Sequence, residues 1–185
     1  AYEKSLDDIF SDAEKYNGGE VSEFHIVGGL HPDLPFEYYL DMLKGLKERF
    51  PEVHIQAFTA IELGYLAELA NLPLDETLMV LKDAGLGSIP GGGAEIFAKR
   101  VRRKICGEKL IAEDWLNVHE AAHGLGLKSN ATMLYGHLET IEERADHLVQ
   151  LRELQDRTNG FVTFIPLAFH PENTVLDFLK TTPGQ

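Results

Sequence analysis

The 185-residue chain reads as an α/β protein built on a parallel sheet. Three observations predict this. Helical segments alternate with short apolar strands, and strands separated by helices pair in parallel. Glycine-rich and polar stretches follow the C-terminal ends of those strands, the edge where barrels and open parallel sheets place their sites. Only about five strands follow an opening helix, too few to close an eight-stranded barrel. A partial barrel is therefore expected, with residues 1–185 as a single domain. No low-complexity tract or repeat interrupts it.

Each element has its own signal. Ser5 with Asp8 forms a capping box for a first helix whose inner face is Leu6, Ile9, Phe10 and Ala13. Asn17-Gly18-Gly19 is expected to end it. Phe24 to Val27 reads as a buried strand. Phe36, Tyr39, Leu40, Leu43, Leu46 and Phe50 recur at helical spacing before Pro51. Val53 to Phe58 is a second strand, and a helical region broken near Pro73 runs to Ala84-Gly85. Ser88-Ile89 is a short strand. Helices are expected over Glu95–Ile105 and Ala112–Leu125, with a strand from Ser129 to Leu134. Thr140 and Glu143 cap a long helix to about Thr158. Phe161 to Ile165 is the last strand, with Pro166 expected to stop it.

Composition bounds the function. Hydrophobic residues make up 44% and charged residues 25%, as in globular domains. With 17 Lys+Arg against 30 Asp+Glu the formal charge is −13, which repels phosphate backbones and anionic lipid. Nucleic acid and membrane are thus not expected as partners. No apolar run approaches the roughly 20 residues of a spanning helix, and AYEKSLDDIF lacks the pattern of a signal peptide. A single cysteine, Cys106, excludes an internal disulfide and an all-cysteine cluster site. A cytoplasmic setting fits that usage.

Four motifs carry candidate chemistry. Val27-Gly28-Gly29-Leu30-His31-Pro32 follows a strand; its glycines serve close approach of a ligand, a positive φ, or only a tight turn. In Ile89-Pro90-Gly91-Gly92-Gly93-Ala94-Glu95 three glycines suit a backbone that lines a ligand, or a flexible loop. It is neither a P-loop nor G-x-G-x-x-G. Asn130 to Glu139 runs from strand to helix start, with Gly136 open to close approach. His170 and Asn173 are polar groups in an otherwise apolar stretch after the last strand. A fifth motif, His119-Glu120-Ala121-Ala122-His123, matches the zinc-peptidase pattern, with both imidazoles on one helix face. Position 129, where the longer pattern places a third ligand, is Ser. A helix between two parallel strands is an outer crossover, away from the site edge, so no metal site is expected there.

HIVGGLHPDLPFEYYL, IPGGGAEIF, NATMLYGHLET, LRELQDRTNGF and FIPLAFHPENT, in this order over nearly the whole chain, closely resemble the aminofutalosine-synthase group of the radical-SAM superfamily. The sister dehypoxanthine futalosine cyclases are the alternative within that group, and a zinc metallopeptidase is the alternative outside it. The resemblance implies a partial (β/α)6 TIM-like barrel of the radical-SAM type. It implies a four-iron four-sulfur cluster held by C-x-x-x-C-x-x-C, S-adenosyl-L-methionine (SAM) as the source of a 5′-deoxyadenosyl radical, and an electron donor. In the synthases that radical adds to 3-[(1-carboxyvinyl)oxy]benzoate on the way to aminofutalosine, in menaquinone biosynthesis. Residue by residue, Gly28 and Gly29 match the motif at the SAM methionine group. Gly91, Gly92 and Glu95 match positions near the ribose, and Gly136 and Glu139 match G-x-I-x-G-x-x-E near the adenine. Thr132 and Leu134 depart from that last pattern. His31 and His170 are the candidates for substrate. The cysteine triplet is absent and the first strand is expected to be missing, so no cluster is expected in this chain and the chain alone is expected to be inactive.

Overall fold

The computed structural model describes residues 3–16, 21–107, 111–174 and 176. The backbone divides into two compact units, Ala1–Ile89 and Pro90–Gln185.

In the first unit the capping box forms as expected. The Ser5 hydroxyl accepts from the Asp8 N–H and Asp8 reaches back, opening α1 (Leu6–Glu14). The turn at Asn17-Gly18-Gly19 lies outside the described residues. α1 packs on α2 (Phe36–Arg49) through the ring of Phe10. A Cβ on Gly45 would sit 2.3 Å from that ring, so the ring occupies the space that glycine leaves open. β1 (Glu23–Ile26) pairs in parallel with β2 (His54–Ala57), Glu23 opposite His54 and Ile26 opposite Ala57. β2 pairs in parallel with β3 (Ser88–Ile89) at Gln56 and Ser88. The second strand is shorter than Val53–Phe58 because Phe58 takes a positive φ of 61° and turns the chain into α3 (Ala60–Ala70). α3 ends on Asn71 in the left-handed conformation, and α4 (Leu74–Asp83) follows Pro73. Leu43, Leu63, Leu78, Leu81 and Ile89 are fully buried in this unit.

The second unit opens on an irregular stretch. The helix expected from Glu95 begins only at α5 (Lys99–Ile105). Gly93 and Glu95 both have positive φ, 86° and 45°, which no right-handed helix accommodates. α6 (Ala112–Gly124) leads to β4 (Lys128–Tyr135). Thr140 and Glu143 cap α7 (Ile141–Thr158), which ends on left-handed Asn159. β5 (Phe161–Ala168) pairs in parallel with β4, with a bulge near Ser129 and Tyr135 opposite Ala168. Pro166 does not stop this strand as expected. It pairs opposite Met133 within β5, on a mostly exposed strand where its missing N–H breaks no ladder bond with a further neighbour. Ile96, Val101 and Met133 form a core cluster, and Trp115, Leu127 and Leu154 are buried.

Candidate functional site

Each unit carries a glycine loop, and each loop is held by side chains from elsewhere in its own unit.

In the first unit the chain leaves β1 as Val27 to Pro32. The carboxylate of Glu62, only 8% exposed, closes the capping box of α3: its Oε2 accepts from the N–H and hydroxyl of Thr59 at 2.8 and 2.7 Å. Its Oε1 accepts from the Gly28 N–H at 2.8 Å. One turn on, the Tyr65 hydroxyl donates to the His31 carbonyl at 2.5 Å. The His31 ring is half-buried. Its Nδ1 accepts from the Asp33 N–H, and its Nε2 lies 3.1 Å from Glu3 Oε2. Gly28 and Gly29 themselves are exposed. Neither has a positive φ, which removes one of the expected reasons for glycine there. A Cβ on Gly29 would meet nothing within 4 Å, and one on Gly28 only Glu62 Oε1 at 3.6 Å. The loop borders a cavity of about 610 Å³ lined also by Tyr38, Tyr39, Met42 and Phe58.

The loop of the second unit is not a flexible one. Every carbonyl from Gly91 to Ile96 accepts a hydrogen bond. Thr132 Oγ1 donates to Gly91 and Trp115 Nε1 to Gly92, at 2.5 and 3.1 Å. The guanidinium of Arg102, 5% exposed, reaches Gly93, Ala94 and Ile96 at 3.2, 2.5 and 3.4 Å. The Leu134 N–H donates to Glu95 at 2.8 Å. His147 Nδ1 accepts from the Phe97 N–H while its Nε2 donates to the Thr132 carbonyl, which pins the loop's exit to β4. Burial, the largest effect, lowers the His147 pKa to about 4, so the ring is neutral at pH 7. Position 91 requires glycine, because a Cβ there would sit 2.7 Å from the Asn130 carbonyl.

Leu134 also leads to the third motif. Gly136 has φ 89°, and its N–H and that of His137 donate to Glu139 at 2.5 and 2.9 Å. Arg144 Nε adds a 2.7 Å ion pair. Burial acts to raise the Glu139 pKa, but the two N–H groups and Arg144 together hold it below the usual carboxylate range. The Phe169 N–H donates to the Tyr135 carbonyl, and its ring packs on His137, drawing the segment after β5 to the same edge. His170 follows, exposed. The second unit thus brings Gly91, Gly92, Glu95, Gly136 and Glu139 to one edge. The first unit gathers Gly28, Gly29 and His31.

The histidine pair of α6 belongs to packing. His119 is fully buried, stacks on Trp115 at 3.7 Å and shares Ser129 Oγ with His123, at 2.8 and 2.7 Å. His123 also meets Thr158 Oγ1 at 2.7 Å. Burial, the largest effect on both, lowers His119 well below its usual pKa and His123 to about 4. Glu120 turns away to pair with Arg157. Ser129 lies at the start of β4, the end opposite Gly136. A peptidase would need the acid beside the two rings; here the rings meet on the Ser129 hydroxyl and the acid faces Arg157. Among the described residues no group of three His, Cys, Asp or Glu could hold a metal ion.

Glu62, Tyr65, Arg102 and His147 were not singled out from sequence. Thr59-x-x-Glu62 was legible as a capping box; Arg102 in Lys99–Ile105 and His147 in a polar helix resemble solvated charge.

The chain is 55% identical over 163 residues to aminodeoxyfutalosine synthase of Thermus thermophilus, covering 88% of this chain and 44% of the relative. It is 45% identical over 169 residues to the Streptomyces coelicolor enzyme of that name, covering 91% and 44%. It is 44% identical over 163 residues to 5-amino-6-(D-ribitylamino)uracil–L-tyrosine 4-hydroxyphenyl transferase of Methanothermobacter thermautotrophicus, covering 88% and 44%. The chain therefore spans less than half the length of these relatives. It shares the fold of methylornithine synthase PylB with a TM-score of 0.72 at 16% identity, over 99% of this chain and 50% of that one. This is the parallel α/β fold of the radical-SAM type expected from the sequence. Parallel strands, with held loops after β1, β3 and β4, and a match of residues 1–151 to the Radical SAM superfamily lead to one conclusion: the chain belongs to that superfamily.

Proposed function

We propose that the longer protein carrying this chain is a cytoplasmic aminofutalosine synthase that joins a SAM-derived fragment to 3-[(1-carboxyvinyl)oxy]benzoate, with an external electron donor. The carrying observation is the 55% identity to the Thermus synthase, against 44% to the hydroxyphenyl transferase over the same number of residues. Bound to the longer protein, SAM and a four-iron cluster would supply the radical chemistry. The residues present do not fit the cluster, since one thiolate cannot hold it; its ligands belong to the remainder of the longer protein. They do fit SAM. The bare backbone of Gly28 and Gly29 suits the methionine group. The fixed loop of Gly91, Gly92 and Glu95 suits the ribose. Gly136 suits the adenine, with Glu139 shaping that turn because its oxygens are already bonded. His31 and His170 are assigned to the substrate.

The test uses the longer protein, reconstituted anaerobically with iron, sulfide and reductant. Given SAM and 3-[(1-carboxyvinyl)oxy]benzoate it should form aminofutalosine, read by mass spectrometry. Glu95→Gln removes a charged acceptor worth about 1.5–3 kcal/mol and should weaken SAM binding roughly ten- to a hundredfold. Glu120→Gln, on the outer face of α6, should leave turnover unchanged. Hydroxyphenyl transfer from tyrosine instead of aminofutalosine formation would refute the assignment.

A further inference from the structure

Glu62 and Tyr65 stand three residues apart, on one face of α3. In an ordinary capping box the N3 carboxylate serves its own helix and faces water. Here it is buried and spans 34 residues in sequence to take the Gly28 N–H as well. The Tyr65 hydroxyl takes the His31 carbonyl across the same span. So one helix face grips the loop at its first and last residues. Between the grips, Gly29 and Leu30 are exposed, and a Cβ on Gly29 meets empty space. Neither crowding nor backbone conformation calls for glycine at 28 and 29. Bare backbone presented to a ligand does.

The geometry points to Glu62 and Tyr65 as positioning residues that hold the Gly28–His31 loop in its binding shape before the ligand arrives. They touch the loop, not the reacting atoms. A preorganised loop saves the ordering cost that a mobile one pays on binding. Naming the ligand as the methionine end of SAM rests on the function proposed above.

The experiment is made on the reconstituted longer protein, comparing wild type with Tyr65→Phe and Glu62→Gln. Tyr65→Phe removes one hydroxyl and keeps the ring. It should raise KM for SAM about three- to tenfold, the scale of one lost hydrogen bond, and leave kcat, cluster content and melting temperature unchanged. Glu62→Gln keeps an acceptor for Gly28 but cannot also accept twice from Thr59, and should raise KM at least as far. Amide hydrogen exchange over residues 28–31 should quicken in both variants with no cofactor present. Unchanged KM overturns the inference, and so does a fall in melting temperature without a KM change, because the bonds are then structural only. A wild-type protein that cleaves no SAM overturns the assignment of ligand. The clamp is then judged by exchange alone, and unaltered exchange at 28–31 refutes it.

Discussion

At the scale of single residues, the two glycine loops use the same amino acid for opposite reasons. Gly91 is glycine because the protein leaves no room: a Cβ would lie 2.7 Å from the Asn130 carbonyl and 2.8 Å from Thr132 Cγ2. Gly29 is glycine although a Cβ there would meet nothing within 4 Å. Gly91→Ala should therefore lower stability by about 1–3 kcal/mol, as overpacking does. Gly29→Ala should leave the urea midpoint unchanged and weaken SAM binding by the longer protein. Equal stability losses in both variants would remove the distinction. Sequence reading grouped these glycines correctly as loop formers at strand ends. It could not separate them, because crowding at Gly91 depends on Asn130, 39 residues away, and sequence does not report that neighbour. The same limit hid Arg102, whose guanidinium donates to the carbonyls of Gly93 and Ala94.

At the scale of elements, what was legible followed local chemistry. Capping boxes at Ser5 and Thr140 set helix starts correctly. What was missed followed tertiary override: the positive φ of Glu95 delayed α5, and the outward face of β5 tolerated Pro166. The buried histidines of α6 and α7 make a measurable consequence. Unfolded imidazoles protonate near 6.5; His123 and His147 in the folded protein do so only near 4, and His119 well below 6.5. A depressed folded pKa means that the unfolded state binds more protons between those values. The stability these groups contribute is whole above 6.5 and is lost as pH falls toward 4. For His147 the loss is on the order of 3 kcal/mol across that window. At pH 5.5, above the carboxylate range, His123 and His147 should make unfolding take up about two protons, and His119 adds to the uptake in the same direction. His147→Gln should reduce the uptake by about one. Melting curves between pH 7 and 5 supply the number, and a pH-independent melting temperature would exclude buried neutral histidines.

At the scale of the whole molecule, two properties oppose each other. A formal charge of −13 keeps copies of the chain apart. β5 draws them together: Val162, Phe164, Ile165 and Leu167 are 64%, 40%, 39% and 47% exposed. A strand of this length with apolar side chains on both faces is a template for pairing with another chain. Natural sheets cover such strands or place charge on them, and β5 carries no Lys, Arg, Asp or Glu between Phe161 and Ala168. Repulsion between the acidic surfaces decides the balance at low ionic strength, where the Debye length is about 30 Å at 0.01 M salt. At 0.15 M salt it shrinks to about 8 Å, and apolar contact at β5 wins. The 185-residue chain alone should therefore sediment as a monomer in dilute buffer and self-associate as salt is added. Val162→Lys with Phe164→Lys puts two charges on one face of the strand and should restore the monomer at 0.15 M salt without lowering the melting temperature. Association that weakens with salt, or that persists in the double variant, would place the sticky surface elsewhere.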